Sequence, residues 1–154
     1  MGAVEDRLSE LGLTVPEVVP PVAAYVPVMR DGDLVFTSGQ LPMVAGALAA
    51  TGKVGAEVDA DAAKALAETC ALNAIAAIKS EIGDLDKVSR VVKVVGFVAS
   101  DPGFTGQPGV INGASELFVK AFGDKGIHAR SAVGVAALPL DAPVEVEVIV
   151  SVRD

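Results

Sequence analysis

Apolar and polar positions alternate most sharply near the C-terminal end of the chain. There Val144, Val146, Val148, Val150 and Val152 fall on one face, and Glu145, Glu147, Ile149 and Ser151 on the other. A period of two residues is that of a strand with one buried face. A preceding strand is expected over residues 129–138, stopped by Pro139, with Asp141, Ala142 and Pro143 leading into the last one. Residues 88–99, rich in valine and ended by Asp101, Pro102 and Gly103, read as a buried strand. Towards the N-terminus, residues 23–29 and 34–38 are apolar and β-prone, and Asp31-Gly32 between them predicts a hairpin turn. Gly39, Pro42 and Gly46 then break the pattern into loops or a short third strand, with a further turn at Thr51-Gly52.

Two segments carry the helical period instead. Asp59 is placed to cap a long helix ending at Ile82 before Gly83, with Ala71, Ile75, Ile78 and Ile82 in one stripe. A second helix takes Pro108 in its first turn, presents Ile111, Ser115, Phe118 and Phe122 on one face and closes at Gly123. A short helix over residues 4–11, capped by Gly12, is followed by a connector punctuated by Pro16, Pro20 and Pro21. The chain therefore divides into an N-terminal helix and connector, residues 1–22, and one α/β (α+β) domain, residues 23–154. Two helices cover one face of a single sheet, so burying the opposite face takes another subunit.

At 154 residues there is room for one domain, which buries about 70% of the surface its unfolded chain exposes. Hydrophobic residues reach 51%, more than one small core needs, which again points to an interface between copies. No apolar run approaches the ~20 residues of a membrane helix. The start, MGAVEDRLSELG, is acidic where a secretory leader is basic, and the lipidation pattern after Met1-Gly2 lacks its Ser or Thr; a cytoplasmic location is expected. One cysteine and one histidine cannot assemble a usual structural zinc site, so neither metal nor cofactor is expected. A net charge of -8 with 4% aromatic residues argues against nucleic-acid binding.

The candidate chemistry is concentrated in HARSAVGVAALPLDAPVEVEVIV. Arg130 lies near the start of one strand and Glu145 on the next, so an antiparallel turn would bring them together. Arg130 shares its strand face with Ala132, Gly134 and Ala136, small groups that leave room for a guanidinium to take a carboxylate in bidentate fashion. An internal ion pair with Glu145 or Glu147 is the alternative. Glu145, if partly buried, is a candidate general base, against the alternative of an exposed strand charge. His128 reads as a surface or rim residue and Cys70 as a small buried hydrophobe. Ser38 in TSGQ lies outside any G-x-S-x-G elbow.

Two stretches, YVPVMRDGDLVFTSGQLP and HARSAVGVAALPLDAPVEVEVIV, resemble the first and last signatures of the Rid (YjgF-like) family, also called endoribonuclease L-PSP. The likeness runs from about Tyr25 to Val152 and marks a longer, divergent branch. It implies a chorismate-mutase-like fold, one mixed sheet packed by two helices, that forms a trimeric β-barrel with clefts between subunits. It further implies cofactor-free hydrolytic deamination of a 2-enamino or 2-imino acid to a 2-keto acid and ammonia. Arg130 falls on the family's carboxylate-holding arginine and Glu145 on its water-activating glutamate. Tyr25, Ser38, Gly39, Asn112 and the backbone carbonyl of Ala132 fall on further substrate-binding positions. The chain departs from the family at Ala132, where many members have Cys, at Gly134, where many have Glu, and in its N-terminal connector. Those departures leave a second expectation standing, a non-catalytic trimer that binds a small carboxylate.

Overall fold

The valine alternation of the last strand sets the core: Val144, Val146, Val148, Val150 and Val152 are all buried, and the residues between them are half-exposed. The coordinates are a computed structural model that describes residues 2–21 and 23–154. Met1 of the lipidation pattern and Val22, the last connector residue, lie outside them. In chain order the elements are α1 (Ala3–Glu10), β1 (Val28–Asp31), β2 (Leu34–Thr37), β3 (Met43–Val44), β4 (Ala47–Leu48), α2 (Ala60–Ile82), β5 (Val88–Ala99), α3 (Gln107–Phe122), β6 (Ala129–Val135) and β7 (Val144–Val152).

The main sheet runs β1-β2-β7-β5-β6, antiparallel throughout except for the parallel pair β5 and β6. Helix α2 lies over β7 and α3 over β5 and β6, so one face is covered. Asp59 caps α2 by accepting from the Ala62 amide at 2.8 Å, and Gly83 and Gly123 end α2 and α3 with φ of 78° and 66°. Left-handed backbone at a helix end favours glycine, which has no Cβ to clash.

Several expectations are corrected. The first strand begins at Val28 instead of residue 23, because Pro27 fixes φ and lacks the N–H a ladder needs. The hairpin turn is centred on Gly32 and Asp33, since Asp31 pairs with Leu34; Gly32 has φ of 62°. Residues 43–48 form a separate small hairpin, β3 with β4, turning through Ala45 and Gly46. Strand β6 stops at Val135, whose carbonyl accepts from Ser100 just beyond the end of β5; residues 136–138 have no strand beside them. The N-terminal helix joins the two that cover the sheet: α1 packs on α3 and buries Val4 and Leu8 in the same core. Its amides at Ala3 and Val4 donate to the Asp86 carboxylate, at 3.0 and 3.2 Å, a cap from 83 and 82 residues away. Within one protomer the sheet is open, with β1 and β6 as edges, so a single copy is not a barrel.

Candidate functional site

Arg130 enters β6 opposite Val94, which is opposite Val148; all three project towards the helices. Alternation puts Ala132 and Gly134 on that same side, as expected from sequence. The guanidinium meets the first half of α3: Nη1 donates to Asn112 Oδ1 at 2.8 Å and to Ser115 Oγ at 3.2 Å, and Nη2 donates to the Pro108 carbonyl at 3.3 Å. Three of the five N–H groups a guanidinium carries are thereby committed. The remaining two are on Nε and Nη2, the two nitrogens that can grip a carboxylate together. Among the described residues no carboxylate is within ion-pair distance of Arg130, so the internal ion pair does not form.

Glu145 is built differently. It pairs with Phe97, which pairs with Val133, on the face away from the helices. Burial first, and then the like charge of Glu147, pushes its carboxyl above the usual range. A Cβ on Gly39 would stand 2.7 Å from Glu145 Cδ, so only glycine lets the backbone come this close without displacing the acid. The loop that carries Gly39 is pinned on both sides. Gln40 and Val146 exchange backbone bonds at 2.8 and 3.0 Å, and buried Asn73 of α2 donates to the carbonyls of Leu41 and Met43 at 3.1 and 3.0 Å. A small recess opens here, lined by Val19, Pro20 and Pro21 of the connector together with Tyr25, Gly39 and Glu145. Its remaining wall is mostly apolar, from Pro27, Leu41, Met43 and Pro139. Ser38 lies at its margin, its hydroxyl donating to the Val26 carbonyl at 2.5 Å and its N–H to Pro27 at 2.8 Å, which ties the Tyr25 segment to β2.

The candidate residues therefore fall into two groups, Arg130 with Asn112 and Glu145 with Tyr25, Ser38 and Gly39. The expectation that a turn would join Arg130 to Glu145 fails, because β5 is inserted between β6 and β7. The two residues are two strands and three register positions apart, about 14 Å between backbones, and on opposite faces of the sheet. Ala132 belongs with Arg130. Because the Val135 carbonyl points to β5, strand alternation turns the Ala132 carbonyl outward to the free edge.

Other residues were less legible. His128 is half-buried and bonded through both ring nitrogens, to the Gly126 carbonyl at 2.6 Å and Ser115 Oγ at 2.8 Å, so it is no mere rim residue. Gln107 carries no signal in the sequence that singles it out. Its amide donates to Phe104 and Ser100 and covers Gly134, where a Cβ would meet Gln107 Nε2 at 2.8 Å. Cys70 is fully buried, and burial raises its thiol well above the usual range, as an inert small hydrophobe requires.

A mixed sheet with helices on one face, an anchored arginine at one edge and a half-buried acid on the other face describes an α+β protein. Residues 5–151 match the family model described as "YjgF/chorismate_mutase-like, putative endoribonuclease". The chain belongs to this family. It is similar to Protein TCP17 of Trypanosoma cruzi, 42% identical over 99% of this chain and 96% of that protein. It is also 31% identical to the 2-iminobutanoate/2-iminopropanoate deaminase of Escherichia coli, over 83% of this chain and 87% of the relative. Among solved structures, Atu1372 of Agrobacterium tumefaciens, a protein of unknown function, superposes with a TM-score of 0.93 at 49% identity, covering 98% of this chain and 93% of that one. Relatives thus include named imine deaminases. Among the described residues no helix is long and apolar enough to cross a membrane.

Proposed function

We propose that the chain hydrolyses a 2-imino or 2-enamino acid with a small apolar side chain to the 2-oxo acid and ammonia, in clefts formed where copies meet as a homotrimer. The observation that carries this reading is the division of the pocket into two groups that one copy keeps about 14 Å apart. Arg130 stands at a free sheet edge, open to the approach of a neighbour's Glu145 recess. The uncovered face supports the same assembly, since Met29, Phe36 and Val133 on it are exposed apolar side chains. An incoming copy would bury them.

In this scheme the remaining N–H pair of Arg130 holds the substrate carboxylate and Asn112 steadies the guanidinium. Glu145, with its carboxyl held above the usual range, takes a proton from water as the water oxygen bonds to the imine carbon. That proton passes to the imine nitrogen, the proton of the new hydroxyl follows it, and as the C–N bond breaks ammonia leaves and the carbonyl forms; both hydrogens of the water end on nitrogen and no electrons are gained or lost. The apolar wall of the recess suits a short aliphatic side chain. Net charge of -8 speaks against an RNA substrate. A second reading, a trimer that binds a carboxylate and turns nothing over, is favoured by Ala132 and by Gln107 filling the space over Gly134.

Ammonia and 2-oxo acid release from enzymatically generated imino acids tests the first reading. Wild type should accelerate release, and Arg130→Ala and Glu145→Gln should each lose it. Refolding the two variants together should restore about a quarter of the sites, as random assembly of a shared site requires. No recovery in well-mixed oligomers would mean that both groups serve one copy. No acceleration by wild type, with carboxylate binding intact, would leave the second reading.

A further inference from the structure

His128 is the chain's single histidine and stands just before β6, two residues from Arg130. The polarity of its bonds can be worked out donor by donor. The Gly126 carbonyl only accepts, so Nδ1 carries the hydrogen of that 2.6 Å bond. Arg130 only donates, so Ser115 Oγ accepts from Nη1. Among the described residues the remaining partner of Ser115 is His128 Nε2 at 2.8 Å, which therefore receives the hydroxyl hydrogen. The result is a directed chain in which Arg130 donates to Ser115, Ser115 to His128 and His128 to the backbone of Gly126. The edge of the imidazole is further fixed against Phe118, whose ring centroid is 6.0 Å away at 83°.

From this we infer that His128 and Ser115 are positioning residues that set the direction of the Arg130 guanidinium and so the strength with which it holds a substrate carboxylate. The inference rests on the reading that Arg130 receives that carboxylate. Neither residue touches the ligand. Asn112 and Pro108 take two of the guanidinium hydrogens, at 2.8 and 3.3 Å, and Ser115, also on α3, takes a third whose direction depends on how its own hydroxyl is held. A serine alone rotates freely; the ring gives its hydroxyl one orientation. Small errors in that direction are amplified, because two parallel hydrogen bonds must form at once.

The test is isothermal titration of the untagged oligomer with 2-oxobutanoate, the product class. Ser115→Ala and His128→Phe should each weaken binding about tenfold. Ser115→Thr, which keeps the hydroxyl, and His128→Gln, which keeps an acceptor near Nε2, should stay within about threefold of wild type. Equal loss in Thr and Ala, or no loss in Ala and Phe, would overturn the positioning role. Arg130→Ala separates the two levels: if it binds as wild type does, the carboxylate reading itself falls, whereas its loss beside unaffected His128 variants removes only this inference. Should a variant not fold, ¹⁵N NMR of the single histidine in the wild type still decides. The hydrogen must reside on Nδ1, and finding it on Nε2 would sink the proposal.

Discussion

Arg130 and Glu145 are both strand residues with charged side chains, yet the molecule holds them by opposite means. Arg130 is fixed by donors and acceptors, with Asn112, Ser115 and Pro108 taking its hydrogens and His128 orienting Ser115. Glu145 is fixed by shape, pressed against the bare backbone of Gly39 and half-buried beside an apolar recess. Among the described residues no donor is bonded to its carboxylate. The difference matches the two roles proposed for these groups. A group that grips an anion needs direction, which hydrogen bonds supply. A group that moves a proton near neutral pH needs a raised affinity for it, which burial supplies and hydrogen-bond donors would cancel.

The strongest blow to this contrast is Arg130→Ala, which should lower kcat/KM by at least about a hundredfold through loss of a paired charge contact. Binding of a 2-oxo acid should fall in parallel, whereas an uncharged analogue should be indifferent; equal loss for both ligands would argue that the arginine serves the fold instead. Next in size is Gly39→Ala. The new methyl meets the flexible end of Glu145, so relief comes from displacing the acid rather than the backbone. Turnover should drop about tenfold with a melting temperature close to wild type. A large fall in melting temperature would mean that the loop, not the carboxylate, gives way.

Glu145→Gln sharpens the comparison through pH. The folded chain holds the Glu145 proton more tightly than the unfolded chain does, so stability falls as pH rises from the ordinary carboxylate range through the raised value. The glutamine variant lacks this dependence. Melting curves from about pH 4 to pH 8 should therefore show the variant gaining on wild type as pH rises, with no gain at the acid end. Asp86→Ala is the smallest perturbation and belongs to neither group. It removes the cap of α1, about 1 kcal/mol, and should leave ligand affinity unchanged. Asp86 is held below the usual range, chiefly by the Ala3 amide, so its contribution is lost as pH falls through that lowered value.

Local signals were enough for most elements. The Asp59 cap and Gly83 stop of α2, the face shared by Ile111, Phe118 and Phe122, and the alternation of β7 each depend on neighbours within a few residues, and each stands as read. Pairing depends on the whole chain. That β5 would lie between β6 and β7 has no local signature, because a parallel crossover through α3 and an antiparallel turn leave the same alternation in β6. Local sequence favours pairing a strand with the one after the turn, which would set Arg130 beside Glu145.

What the sequence determined by itself was therefore the inventory: which residues face a core, which segments are helix or strand, and that Arg130 and Glu145 are the charged groups set among small and apolar ones. Tertiary structure alone decided their relation, by sending them to opposite faces of an open sheet. It also recruited residues whose partners are remote in sequence. Ser115 reads as one more position on a helix face and His128 as a rim residue, but the packing of β6 against α3 puts Ser115 within hydrogen-bond reach of both His128 and Arg130. The physical reason is range. Backbone propensity and hydrophobic period act over a turn or two, whereas a hydrogen-bonded network is satisfied only where the packed chain brings its donors and acceptors within about 3 Å.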